Sequence, residues 1–237
     1  MPLLRLDKLL AGQGEGSRKE VHAVLRGGRV QVDGQTVTAA DHKVDPDRQR
    51  VTVDGRVLLW RAHLYLMMNK PAGVVSASRD PKARTVLDLL PDGLRRPGLF
   101  PAGRLDKDTE GFLLITDDGA FAHDILAPRR HVEKTYLARL DRPADAADAQ
   151  AFAAGLTLED GLHCLPARLW FGEGADAYVA VREGKFHQVR RMFAARGRQV
   201  LYLRRIRIGG LELDAALAPG EARELTSAEL ALVGQRG

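Results

Sequence analysis

Cysteine is almost absent from this chain: Cys164 is the single one in 237 residues. An intramolecular disulfide framework and a cysteine-rich zinc site are therefore excluded. A reducing cytoplasm is the expected compartment. No uninterrupted apolar run approaches the ~18 residues that a membrane helix needs. The start, Met1 to Lys8, is charged within its first turns, so no signal peptide is expected. Internal repeats are lacking too, and the one biased stretch is an alanine-rich segment from Pro143 to Ala154.

What remains is ordinary for a soluble globular protein, with 45% hydrophobic and 28% charged residues. The length suits one large or two modest domains. A formal net charge of +5 leans the mean field towards a polyanion. The distribution says more than the sum. Basic residues gather between Arg18 and Arg29 and again between Lys185 and Arg207.

Residues 1 to about 60 read as a small module. Leu6, Leu9 and Leu10 give a short amphipathic helix. Ser17 and Glu20 form a capping box, each satisfying the other's orphan backbone N–H. In the helix that follows, Val21, Val24 and Leu25 share one face, and Arg18, His22 and Arg26 line the opposite one. Gly27-Gly28 ends it. Two alternating segments around Asp33-Gly34 and Asp54-Gly55 carry hairpin signals. By spacing alone the basic stripe could be a solvated helix face. Arg29, just past the helix end, extends the same positive surface and favours a polyanion site.

Arg5-Leu6-Asp7-Lys8, the capped basic helix and Arg29-Val30-Gln31-Val32-Asp33-Gly34 together resemble an S4 RNA-binding domain. The resemblance implies that Arg18, His22, Arg26 and Arg29 meet phosphates. Binding of that kind would be salt-sensitive and mostly blind to sequence.

From residue 61 to residue 237 the pattern predicts a larger α+β domain. Strands are expected at Leu64–Asn69, Phe112–Thr116, Glu133–Leu140, Tyr178–Val181 and Val200–Ile208. Helices are expected at Thr85–Leu90, after Asp117-Asp118-Gly119 as far as Leu126, at Pro143–Ala154, at His187–Arg196 and after Thr226. The two do not alternate regularly, so a mixed, mostly antiparallel sheet flanked by helices is favoured over a doubly wound one.

The most informative stretch runs from Gly103 to Gly119. Physically it is a carboxylate, Asp106, in a glycine-flanked loop that leads into a buried strand. A catalytic carboxylate must be held that rigidly; so can a loop aspartate that caps a turn or pairs with Arg104. The neighbours favour the first. Gly103-Arg104-Leu105-Asp106, then Thr109-Glu110-Gly111, Leu113-Leu114-Ile115-Thr116 and Asp117-Asp118-Gly119 resemble the signature of the RsuA-type pseudouridine synthases. Asn69-Lys70-Pro71-Ala72-Gly73, Glu133-Lys134-Thr135-Tyr136, the segment from Glu183 to Phe193, Ile208-Gly209-Gly210 and Leu217 to Glu221 agree, so the likeness spans nearly the whole chain.

That resemblance implies isomerisation of a uridine in RNA to pseudouridine. The base is detached from N1, turned and rejoined through C5, with no redox change, so neither a metal nor an organic cofactor is expected. It implies Asp106 as the essential ionised carboxylate, as nucleophile or through a glycal route. Arg190 would be the cation beside Asp106, where close relatives carry lysine. Tyr136 would stack on the flipped base. Arg104 and Lys185 are implied substrate contacts, and Arg191, Arg204, Arg205 and Arg207 phosphate contacts. His131 and His187 read as structural or RNA-facing. On residue type alone, Arg190 is equally a phosphate contact and Tyr136 a half-buried strand tyrosine.

Within the family, Ala127 to Tyr136 and Met192-Phe193-Ala194-Ala195 look closest to the small-subunit (16S) rRNA enzymes. The expected partner is ribosomal RNA within a small-subunit assembly intermediate, met by a monomer. Large-subunit (23S) rRNA is the alternative target. Two other classes compete. A non-catalytic S4-domain assembly factor would be free to lose Asp106, Tyr136 or Arg190, yet all three are present. A metal-dependent nuclease could cluster Asp106, Asp108, Asp117 and Asp118, but Asp117-Asp118-Gly119 is better explained as a turn and helix cap.

Overall fold

The computed structural model describes residues 3–127 and 132–235. It divides into two compact units, the first reaching Leu64 and including Asp92–Leu99, the second comprising Tyr65–Pro91 and the chain from Phe100 onward. The sequence pattern set the boundary near residue 60 and did not detach the 92–99 segment. The Arg96 guanidinium donates to the carbonyls of Arg61 and Ala62, which joins that segment to the first unit.

In the first unit, β1 (Leu4–Arg5) leads into α1 (Leu6–Gly12) and α2 (Arg18–Arg26). The Ser17–Glu20 capping box forms, with Glu20 N–H bonded to Ser17 Oγ and Ser17 N–H to Glu20 Oε2. β2 (Val30–Val32) and β3 (Gln35–Thr36) turn through Asp33-Gly34; β4 (Lys43–Val44) pairs with β1; β5 (Val51–Val53) and β6 (Arg56–Val57) turn through Asp54-Gly55. Both Asp-Gly pairs have positive φ at both residues, 51° and 83° in the first turn, as a twisted two-residue hairpin requires. The sheet order is β3-β2-β5-β6, and Leu6, Leu9, Leu10, Val21, Leu25, Val30 and Val51 fill the core against it.

The second unit is built on one mixed sheet. β7 (Tyr65–Lys70), β8 (Phe100–Pro101) and β9 (Glu110–Thr116) precede α3 (Gly119–Leu126), then come β10 (Lys134–Leu140) and α4 (Ala146–Ala154). β11 (Arg168–Phe171), β12 (Asp176–Val181), α5 (Gln188–Ala194), β13 (Val200–Ile208), β14 (Leu211–Glu212), β15 (Ala222–Glu224) and α6 (Ser227–Val233) complete it. The main order is β11-β12-β10-β13-β9-β7-β15, antiparallel except where β13 meets β9. This is the α+β arrangement expected.

One local expectation changes. Thr85–Leu90 holds only a 3-10 turn, Leu87–Leu89, because the Asp88 carboxylate folds back onto the Thr85 N–H and hydroxyl. β11, β14 and β15 carry too little alternation to be read from sequence. At the parallel junction, Gly111 has φ 99°, and a Cβ there would lie 2.2 Å from the Arg205 carbonyl oxygen. Glycine is what lets β9 and β13 approach beside the Asp106 loop.

Candidate active site

Asp106 sits in the loop between β8 and β9, and that loop is clamped from two sides. Lys70, at the end of β7, has no exposed surface. Its ammonium donates to the carbonyls of Pro71 (3.0 Å), Asp106 (3.1 Å), Lys107 (3.3 Å) and Thr109 (2.8 Å). Burial pushes its pKa down to about 8, against the opposing pull of Asp108, Glu110 and Asp106. From the other side, Ser76 Oγ donates to the Leu105 carbonyl and accepts from the Leu105 N–H. The Gly73 N–H adds a bond to the Lys107 carbonyl. The Asn69-to-Gly73 element thus supports the wall of the site.

The Asp106 side chain remains 31% exposed and opens into a cleft of about 370 Å³. Arg104, Tyr136, Lys185, Phe186 and His187 share its lining. His187 Nε2 lies 3.5 Å from Asp106 Oδ1. His187 adopts a left-handed backbone (φ 49°) at the entrance to α5, and its ring stacks on Phe186 at 3.8 Å between centroids. Phe186 is 74% exposed at the cleft mouth. Neither Phe186 nor the His187–Asp106 contact is legible from residue types in the segment.

Arg190 is not where the resemblance put it. Its Nη2 pairs with Asp108 Oδ2 at 2.9 Å and its Nη1 donates to the Val200 carbonyl. The guanidinium therefore grips the Asp106 loop two residues downstream of the carboxylate. Nor does Arg104 pair with Asp106: it lies exposed on the cleft wall, with no ion pair between the two among the described residues. Lys185 lines the cleft with its ammonium held by Glu183 (3.2 Å) and the His163 carbonyl. Arg191 is taken by Asp160 and does not line the cleft.

Besides Lys70, a second buried cation of the site is Arg205. It was expected among the phosphate contacts, but it is 4% exposed and its Nε donates to the Phe112 carbonyl at 2.7 Å. Its Nη1 reaches the Tyr136 hydroxyl at 3.4 Å, and its Cζ lies 5.9 Å from the Tyr136 ring centroid. Its Nη2 is buried with no hydrogen-bond partner among the described residues. The alternation of β13 holds the missed signal, because Arg205 falls on the same strand face as the buried Leu203. Lys70 had a comparable signal, as the last residue of an otherwise buried strand.

The acidic cluster of a metal-dependent nuclease does not assemble. Asp118 caps α3 through the Phe121 N–H and accepts from the Tyr65 hydroxyl. Among the described residues no three His, Cys, Asp or Glu side chains converge as ligands. His131 lies outside the described residues.

In the first unit, Arg18, His22 and Arg26 share an open groove of about 770 Å³ with Arg5, Lys8 and Lys19. Asp7 is held there by Arg5 at 2.8 Å, with His22 at 3.6 Å. Arg29 departs from the expected surface. Its guanidinium makes a two-pronged pair with Asp54, Nε to Oδ1 being 2.6 Å, and it does not line the groove.

Comparison with known proteins matches this architecture. Residues 64–163 match the RNA pseudouridylate synthase family model, and residues 4–49 match the S4 domain model. The chain belongs to the RNA pseudouridine synthase family. It is 48% identical, over 98% of its length and 99% of the relative's, to the RNA pseudouridine synthase YtzG of Bacillus subtilis. It is 44% identical to the ribosomal small subunit pseudouridine synthase A of Escherichia coli, over 97% and 100% of the two chains. A crystal structure of a pseudouridylate synthase superposes with a TM-score of 0.67 at 34% identity, covering 97% of this chain and 99% of the other.

Proposed function

We propose that this synthase isomerises one uridine of small-subunit ribosomal RNA, with Asp106 as the catalytic carboxylate. The observation that carries the chemistry is the Asp106 side chain, fixed through its own carbonyl by Lys70 and through the backbone of Leu105 by Ser76, while its carboxylate opens into a nucleotide-sized cleft beside Tyr136. Rigid backbone with an accessible anion is what attack on a sugar or base, or abstraction of a sugar proton, requires. Tyr136 offers its ring to the flipped base, and Arg205 fixes the tyrosine hydroxyl from beneath. Arg190 acts on Asp106 indirectly, holding the loop through Asp108. The balance closes without outside reagents: N1 gains a proton and C5 loses one as the glycosidic bond moves. Phosphates meet the groove around Arg18, His22 and Arg26, and the protein works as a cytoplasmic monomer on an assembling small-subunit particle.

The choice of RNA rests on the near full-length likeness to the small-subunit enzymes. Pseudouridine mapping of both ribosomal RNAs from cells lacking the protein tests it. A single site should vanish from the small-subunit RNA and return with the wild-type gene but not with Asp106→Asn. Loss of a large-subunit site instead would overturn the assignment.

A further inference from the structure

The strands that carry the catalytic cleft have a second face. Pairing registers set Tyr136 beside Val179 and Leu169, towards the core built against α4 and α5. Neighbouring positions point the other way: Thr135 lies across from Ala180 and Arg168, and Leu137 from Tyr178 and Trp170. On that reverse face Arg168, Trp170, Tyr178, Thr135, Arg207 and Glu212 enclose a concavity of about 390 Å³. None of these residues lines the cleft of Asp106.

We propose that this reverse-face concavity binds an unpaired nucleotide of the RNA, separately from the uridine being isomerised; the proposal rests on the RNA substrate assigned above. Four observations converge. Trp170 is 39% exposed and stacks on Tyr178, with centroids 5.6 Å apart and rings 11° from parallel. Arg168 lies 5.9 Å from the indole centroid, so a base that extends this parallel stack by one more ring has a guanidinium alongside it. Arg168 and Arg207 share one carboxylate, Glu133, at 2.7 and 3.4 Å, while their side chains stay 64% and 34% exposed. With Glu212 also lining the concavity, the two guanidinium groups are balanced by two carboxylates, so what they offer a phosphate is exposed hydrogen-bond donors rather than excess charge. Thr135 lines it too, 3% exposed, and its Oγ1 has no hydrogen-bond partner among the described residues. A buried hydroxyl without a partner is costly unless something completes it.

Donor chemistry and geometry together choose RNA over a protein strand. β11 is an edge strand that could accept another strand. Backbone pairing there would use neither the exposed guanidinium donors nor the unpartnered threonine. A duplex is disfavoured because its bases are already stacked on one another and cannot lie on Trp170.

Trp60 and Trp170 are the two tryptophans, so Trp60→Phe leaves Trp170 as the only indole. In that background, indole fluorescence is titrated with a short single-stranded oligoribonucleotide and with an RNA duplex. Single-stranded RNA should quench it saturably, with at least about tenfold preference over duplex. Arg168→Gln with Arg207→Gln should weaken binding about tenfold and reduce the salt slope by roughly 1.4, two contacts at about 0.7 each for single strands. In the otherwise native protein, Trp170→Ala should raise KM for the full RNA and leave kcat unchanged. Absent quenching, quenching unaltered by the double substitution, or equal response to duplex would overturn the proposal, as would a protein ligand displacing the RNA. Loss of kcat in Trp170→Ala would also overturn it, by showing a structural role. Because quenching is read without turnover, these failures are distinct from failure of the catalytic assignment.

Discussion

The groove of the first unit and the cleft of the second are both rich in basic residues, but they use them in opposite ways. Around α2, Arg18 and Arg26 project from a helix face into an open groove where one carboxylate, Asp7, is held by Arg5. Around Asp106, nearly every cation already has a protein partner: Lys70 holds four carbonyls, Arg190 holds Asp108, Lys185 holds Glu183, and Arg205 holds the Phe112 carbonyl. One region leaves charge available for polyanion binding. The other converts most of its charge into rigidity, and the Asp106 carboxylate is left accessible with Arg104 exposed on the same wall.

The largest effect should come from Asp106→Asn. The substitution keeps the side chain's shape and, with the loop anchored through its backbone, the fold. Turnover should fall by at least about 10³-fold, within what a positioned nucleophile or proton-transfer group supplies. Thermal unfolding alongside single-turnover pseudouridine formation measures both halves of this expectation. Near wild-type turnover would remove Asp106 from the chemistry.

Lys70→Met should damage both stability and rate. It strips the ammonium from four carbonyls, and an orphaned buried acceptor costs about 1–3 kcal/mol. Partial relaxation and relief of the buried charge leave an expected destabilisation of roughly 2–4 kcal/mol, read by denaturant titration. The pH dependence has a definite sign. The folded pKa, about 8, lies below the ordinary lysine value of 10.5, so between these limits the unfolded chain binds more protons. This group's contribution to stability therefore rises with pH across that window. Turnover should do the reverse, falling above about pH 8 as the amine loses a proton that it donates to the loop. The limb should be missing from the Lys70→Met profile.

A smaller effect separates Arg190 from Asp106. If Arg190 works by gripping Asp108, then Arg190→Ala and Asp108→Ala should lower kcat together no more than either does alone. The cycle should give a coupling of about 0.5–1 kcal/mol, because Asp108 is well exposed and the pair is screened. Additive losses would mean that the arginine serves the carboxylate or the RNA directly.

How much of this could be read from the sequence follows from the range over which each feature is determined. The Ser17–Glu20 box, the two Asp-Gly hairpins and the α2 face depend on residues within about one turn, and all appear as expected. The α+β class followed from irregular alternation, and the position of Asp106 from a motif contiguous in the chain. The partners of the cations could not be read this way. Arg190 follows from how α5 meets the 103–109 loop and Arg205 from how β13 meets β9, matters of register between segments some eighty to ninety residues apart. Arg168, Trp170 and Tyr178 come together only when β11 pairs with β12, and β11 is too short to announce itself.

The smallest effect concerns Arg29, and it sharpens the contrast within the first unit. Residue type and position group it with Arg18 and Arg26, but its charge is already matched by Asp54 through two hydrogen bonds. Each phosphate contact contributes about 0.7 to 0.9 to the slope of log binding constant against log salt, since it releases a condensed counterion. Arg18→Gln with Arg26→Gln should therefore flatten that slope by roughly 1.4 to 1.8 and weaken RNA binding at low salt, with kcat at saturation unchanged. Arg29→Gln should leave the slope where it was. Asp54→Asn is the complementary change: it frees the guanidinium, and the slope should steepen by up to about 0.9 if Arg29 can then reach a phosphate. Filter-binding titrations of ribosomal RNA fragments at several salt concentrations measure all four proteins on one scale. A flatter slope in Arg29→Gln alone would show that RNA outcompetes Asp54, and that the ion pair is a resting arrangement rather than a permanent one.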